Sequence, residues 1–153
     1  MKRWIRAFLL VSTIAALVGC GQRTPKTSPT AAKSTATATA TAVDQAIGAF
    51  HQRLDAGDFE AIWKGADDGF RSGVPRTQFD QYLANIHQKL GRVIGSTQLQ
   101  SAPTGTAARP TLLALQNTRF EHGGGIETFT FAMGPKGAVL IGYNLQSQAL
   151  SAH

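Results

Sequence analysis

At Gly91 the spacing of apolar residues changes from a helical period to an extended one, and this switch decides the class of fold open to the chain. Before it, Val43, Ala46, Ile47, Phe50 and Leu54 recur at the i, i+3, i+4, i+7, i+11 spacing of one helical face. Gly57 stops that helix, and Asp58 is placed to cap a short second one that turns Phe59, Ile62 and Trp63 inward. Residues 66–71 add a turn or two carrying Phe70, and Ser72-Gly73-Val74-Pro75 reads as a loop. A longer helix follows from Arg76 or Thr77 to Leu90, with Phe79, Tyr82, Leu83, Ile86 and Leu90 on its apolar side. Gly91 then occupies the position where a helix end favours glycine.

Beyond Gly91 the chain reads as strands. Residues 93–101 form the first, weakened or bulged at Gly95, and a polar loop over 102–109 leads to a second at 111–121. His122-Gly123-Gly124-Gly125 reads as a flexible reversal into a third strand at 126–133. There Phe129, Phe131 and Met133 share one face and Thr128 and Thr130 the other. Gly134-Pro135-Lys136-Gly137 turns the chain again. The last strand, 138–147, places Val139, Ile141, Tyr143 and Leu145 on one parity and Leu140 on the opposite one. Helices followed by an antiparallel meander make an α+β domain with a four-stranded sheet.

Only residues 43–153 can supply a core. Residues 21–42 consist almost entirely of Thr, Ala, Ser, Pro and Lys and contain no large apolar side chain. Burial there cannot offset the entropy of ordering, so the segment is expected to be a disordered tether. As a coil it would span on the order of 25 Å. A glycosylated stalk is the alternative, since Ser/Thr tracts with Pro accept that modification.

Ahead of the tether lies an export signal. Lys2, Arg3 and Arg6 precede an apolar run from Ala7 to Val18, broken only by Ser12 and Thr13. A span needs roughly 20 apolar residues, which this run does not reach. The segment Leu17-Val18-Gly19-Cys20 holds the chain's one cysteine and resembles the lipobox of bacterial lipoproteins. The resemblance implies that Leu17, Val18 and Gly19 direct cleavage and that Cys20 becomes a lipidated N-terminus. Several acyl chains hold stably to a bilayer, each buried methylene contributing about 0.8 kcal/mol. Gly21, in place of an aspartate after the cysteine, implies sorting to the outer membrane, facing the periplasm.

The formal charge of +6 does not describe the domain. The basic excess lies in the leader and tether, and from Val43 onward Lys and Arg balance Asp and Glu at nine each. A nucleic-acid binder should carry a basic stripe on the folded part, so no nucleic-acid partner is expected. A single cysteine excludes a disulfide within the chain and a cysteine-based metal site.

The order of elements and several short motifs resemble a group of exported bacterial domains of unknown function, similar to the nuclear transport factor 2-like superfamily. The motifs are the run from Phe50 and Leu54 through Asp55-Ala56-Gly57-Asp58-Phe59-Glu60, then Pro75-Arg76-Thr77-Gln78-Phe79 leading to Lys89-Leu90-Gly91. Arg119-Phe120-Glu121, Glu127-Thr128-Phe129-Thr130 and Gly142-Tyr143-Asn144-Leu145 complete them. The resemblance implies a cone in which a curved sheet wraps around helices, and it carries over no activity. Enzymes on this cone set an Asp or His base inside the cavity.

The residues themselves offer little chemistry. Glu121 and Glu127, the only carboxylates after Gly91, flank the triple glycine and read as cross-strand or solvated groups at a hairpin rim. Asp67-Asp68 reads as a capped turn, and Asp80 is the helical acid placed to turn inward beside Phe79. His51, His87, His122 and His153 show no metal-binding spacing and no adjacent nucleophile, so neither a metal nor a cofactor is expected. Tyr82 and Tyr143 are the pocket candidates, with core packing as the competing role. The reading is a noncatalytic envelope lipoprotein, held to the membrane by its lipid, that binds a small apolar ligand, an envelope protein or a second copy of itself. The alternative is an isomerase- or dehydratase-type enzyme acting on a small apolar substrate in the cone.

Overall fold

The computed structural model describes residues 29–151, with side chains from Thr35 onward. The signal segment, Leu17-Val18-Gly19 and Cys20 lie outside the described residues. Four helices come first: α1 (Pro29–Asp55), α2 (Phe59–Gly65), α3 (Asp68–Gly73) and α4 (Arg76–Leu90). Strands β1 (Val93–Pro103), β2 (Thr111–Phe120), β3 (Gly123–Gly134) and β4 (Gly137–Gln146) follow, and a short α5 (Gln148–Ser151) ends the described chain. The strands pair antiparallel in sequence order, so the α+β class holds with an open four-stranded meander.

The helices lie against one face of the sheet. Val43, Ile47, Phe50 and Leu54 of α1 are buried, as are Phe79, Leu83, Ile86 and Leu90 of α4. They meet Leu112, Ala114 and Phe120 of β2, Phe129 and Phe131 of β3, and Leu140 and Leu145 of β4. Phe129 and Phe131 stack at 5.9 Å, and Phe50 meets Phe129 edge-on at 5.2 Å, within the range where aromatic pairs add to area burial. Thr128 and Thr130 point to the other face and stay half-buried, as their parity requires.

Local chemistry sets the helix ends. Asp58 Oδ1 accepts from the Ala61 N–H at 3.0 Å, and Asp67 Oδ1 accepts from the Gly69 N–H at 2.9 Å. Gly91 closes α4 at φ 75, its N–H donating to the His87 carbonyl at 3.0 Å. A Cβ there would lie 2.6 Å from Glu121 Oε2, so both backbone angle and space call for glycine.

Four expectations need correction. First, α1 begins at Pro29, so residues 29–42 are helical where a disordered tether was expected. Burial was the wrong test, because the packed 43–55 stretch already provides the nucleus. Each residue added in front of it gains a backbone hydrogen bond without a new nucleation cost, and alanine resists this least. Thr41 Oγ1 joins in by donating to the Thr37 carbonyl at 3.0 Å. Second, Gly123, Gly124 and Gly125 do not form the reversal; they pair as strand residues with Phe120, Arg119 and Thr118, and Glu121-His122 makes the turn. At Gly125 a Cβ would come within 2.6 Å of the Gln146 carbonyl, so the missing side chain permits close approach of the chain leaving β4.

Third, β4 does not keep one parity. The register shifts between Thr130↔Gly142 and Phe131↔Leu140, leaving Ile141 as the extra residue of a bulge. Leu140 therefore joins Tyr143 and Leu145 on the helix side, and its carbonyl accepts from the Asp67 N–H at 2.9 Å. Fourth, Glu127 is not at a solvated rim. It is fully buried in the middle of β3, for reasons that belong to the next section.

Candidate functional site

Glu127 faces the helices because it shares the parity of Phe129 and Phe131, and its register partners are Gln116 on β2 and Leu145 on β4. An isolated carboxylate in such a place would be costly, so it must be surrounded by donors. Tyr143 Oη donates to Oε1 at 2.8 Å. The Thr118 hydroxyl donates to Oε2, and His51 Nε2 lies 2.8 Å from the same oxygen. The tautomer of the ring sets which of the two atoms donates in that bond.

The cluster has a polar flank on the sheet. Thr118 Oγ1 lies 3.2 Å from Ser96 Oγ, and the Ser96 hydroxyl donates to Gln116 Oε1 at 2.9 Å. Ser96 thus sits beside Thr118 with its own proton committed to Gln116. On the other side Phe50, Phe129 and Tyr143 wall the carboxylate, with ring centroids 4.5 Å apart for Phe50–Tyr143 and 5.1 Å for Phe129–Tyr143. Burial first, and then the Glu127 charge, push the Tyr143 phenol well above its ordinary range, so it remains a donor. The arrangement is chemically a carboxylate–imidazole pair whose carboxylate has a partner on each oxygen and is enclosed.

Tyr82 has a different task. Its hydroxyl accepts from the Leu145 N–H at 2.8 Å and donates to the Leu145 carbonyl at 3.4 Å, tying α4 to β4. Burial raises its pKa as well. The two pocket candidates are neighbours, their rings 6.1 Å apart, and both hydroxyls are committed to internal bonds. Glu121, just after β2, pairs with Arg92, just before β1: the Arg92 N–H and guanidinium donate to it and hold it below the usual carboxylate range. Asp80 Oδ2 accepts from Arg76 Nε at 3.2 Å, while its Oδ1 is buried without a partner. Among the described residues no three His, Cys, Asp or Glu side chains gather as a metal site, and no helix is long and apolar enough to cross a membrane.

A groove lies between α1, α2 and the β3–β4 end of the sheet, with a volume of about 220 Å³. Ala46, Ala49 and Arg53 form one wall, Gly65 the other, and Phe131 and Leu140 the floor. The small side chains at Ala46, Ala49 and Gly65 leave this space open between elements that otherwise touch. Periodicity placed Ala46 on the buried face, but it could not distinguish a residue that fills a core from one that leaves a hollow. The signal for Glu127 was equally modest: its parity matched that of two phenylalanines.

No protein-family model matches the chain, and no curated protein matches it. Among solved structures, it is similar to Bdellovibrio bacteriovorus Bd1075, with 14% sequence identity and a TM-score of 0.45. That match covers 69% of this chain and 39% of the Bdellovibrio protein, so the chain spans well under half of its length.

Proposed function

We propose that this chain is a noncatalytic envelope lipoprotein, anchored through a lipid on Cys20, whose domain binds a small apolar molecule. In this reading the curved sheet and its helices make a nuclear transport factor 2-like cone, and the ligand seats in the groove between α1 and α2. The observation that carries the reading is that groove: about 220 Å³ of space with an apolar floor of Phe131 and Leu140, bordered by small residues. Water occupies about 30 Å³ per molecule in the liquid, so the space suits a ligand of about seven water-sized groups. Titration of the full chain with 1-hexanol, followed by amide chemical shifts, tests it. Saturable shifts at residues of α1, α2 and β4, removed in Ala49→Leu, support the groove. Shifts that persist in Ala49→Leu, or no saturable response, overturn it.

The second reading is an isomerase- or dehydratase-type enzyme, favoured by the His51–Glu127 pair beside Tyr143. It ranks lower because Glu127 is fully enclosed and both of its oxygens are occupied by donors. Turnover of a small hydroxy-carbonyl compound that is lost in Glu127→Gln, with the fold retained, would reverse the ranking.

A further inference from the structure

Arg53 stands on the wall of the groove at the point where α1 passes the end of α2. A Cβ at Gly65 would lie 3.3 Å from Arg53 Nη1, so the guanidinium rests against the last residue of α2, and the glycine makes room for it. The carbonyls at that helix end are nevertheless taken by another residue. Arg71 Nη1 donates to the Lys64 carbonyl at 2.8 Å and to the Ala66 carbonyl at 2.7 Å. The nearby acids are also engaged: Glu60 with Lys64 and Arg76, Asp68 with Arg71, and Asp80 with Arg76. Among the described residues the Arg53 side chain makes no ion pair and no hydrogen bond. The groove thus joins an apolar floor to a guanidinium that has no partner among the described residues.

We propose that the groove takes a small amphipathic acid, its hydrocarbon body over Phe131 and Leu140 and its carboxylate on the Arg53 guanidinium. This rests on the groove being the binding site and adds the chemical class of its ligand. A guanidinium presents paired N–H donors in the geometry of a carboxylate, and it sheds its hydration more easily than an ammonium does. Arg53 is exposed at the rim of the groove, so the pairing adds modestly to the apolar contacts and sets the orientation of the ligand. The ligand's length follows from the volume: a chain of about six carbons fills a space of about seven water-sized groups with its head group at the rim. A neutral alcohol of that length would gain the apolar contacts without the ion pair, and an amine would meet repulsion.

The test uses the full chain, made by cell-free synthesis without lipid or detergent, and three probes: hexanoate, 1-hexanol and hexylammonium. The expected order is hexanoate tightest and hexylammonium weakest. Arg53→Gln should weaken hexanoate about threefold, the size of an exposed ion pair, and affect 1-hexanol less. Ala49→Leu, and independently Ala46→Leu, should abolish both while the thermal midpoint is kept. If hexanoate and 1-hexanol bind alike and Arg53→Gln changes neither, the acid assignment falls while the groove stands. If none of the three binds in the wild-type chain, the assignment and the groove fall together.

Discussion

His51 Nε2 lies 2.8 Å from Glu127 Oε2, joining the C-terminal end of α1 to the middle of the sheet across 76 positions of sequence. Each partner explains why the other is tolerated inside. His51 is 8% exposed and Glu127 is 0% exposed. The carboxylate gives the ring a fixed orientation, and the ring, with Thr118 and Tyr143, replaces the water the carboxylate has lost. Such a cluster specifies how α1 sits on β3, since sliding either element would leave a buried charge without donors.

Removing the charge should therefore matter far more at Glu127 than at Glu121. Glu127→Gln turns an amide toward groups that already donate, and breaking a buried pair costs about 3–5 kcal/mol. Glu121→Gln, on the exposed Arg92 pair, should leave the urea midpoint nearly unchanged. Similar midpoints for the two variants would show that Glu127 is solvated.

The phenols predict an alkaline limit. Burial raises the pKa of Tyr143 and of Tyr82 in the folded chain, so the folded form holds their protons more tightly than the unfolded form does. Both states are protonated below the ordinary phenol range, and stability falls as pH rises above about 10. Tyr143→Phe leaves Glu127 one donor short and should lower the melting temperature at neutral pH. It should also make the further loss above pH 10 shallower than in the wild type, with Tyr82 retaining part of it. An unchanged alkaline slope in Tyr143→Phe would remove Tyr143 from the account.

Parity also makes a prediction. Phe131 is buried against the stacked ring of Phe129, whereas Thr130 faces away from the helices. Phe131→Ala should cost about 3–5 kcal/mol in chemical denaturation. Thr130→Ala should cost much less, and comparable losses would reverse the facing of β3.

These contrasts also show what was legible in the sequence. The apolar spacing on α1 and α4 and the alternation around Phe129 and Phe131 encode local geometry, and those elements appear where their periods put them. Asp58, Asp67 and Gly91 act through one turn of backbone and were equally readable. The bulge at Ile141 was not, because nothing local distinguishes a strand that shifts register from one that does not; the Asp67 contact with Leu140 is a tertiary cause. Glu127 was misread for a related reason. Its neighbours in sequence are a glycine-rich stretch, while its partners in space are His51, Thr118 and Tyr143, and a buried carboxylate is recognisable only with its donors. The groove was invisible because Ala46, Ala49 and Gly65 mark a hollow only once α1 and α2 are side by side.

The proposed lipid anchor makes its own prediction. Cys20→Ala should abolish incorporation of a fatty-acid analogue and leave the leader uncleaved or cleaved elsewhere. Metabolic labelling followed by immunoprecipitation reads both at once. Equal label on the wild type and the variant would dismiss Cys20 as the attachment point.

The last prediction concerns the N-terminal part of α1. Residues 35–38 are exposed, and burial becomes complete only at Val43, so this part of the helix leans on the packed part that follows it. At about 1.5 Å per residue, the stretch 29–42 forms a stalk of about 20 Å, which would hold the domain away from an anchored Cys20 more stiffly than a coil of equal composition. Proline costs about 3 kcal/mol in a helix interior, but the cost reaches the fold only if the residues around it are packed. Ala36→Pro should therefore reduce the far-ultraviolet helical signal and leave the thermal midpoint of the domain where it was. Ala46→Pro, set against the core between Val43 and Ile47, should lower that midpoint by many degrees or prevent folding. A large drop from Ala36→Pro would show that the stalk packs on the domain, and an unchanged helical signal would show that it is not helical in solution.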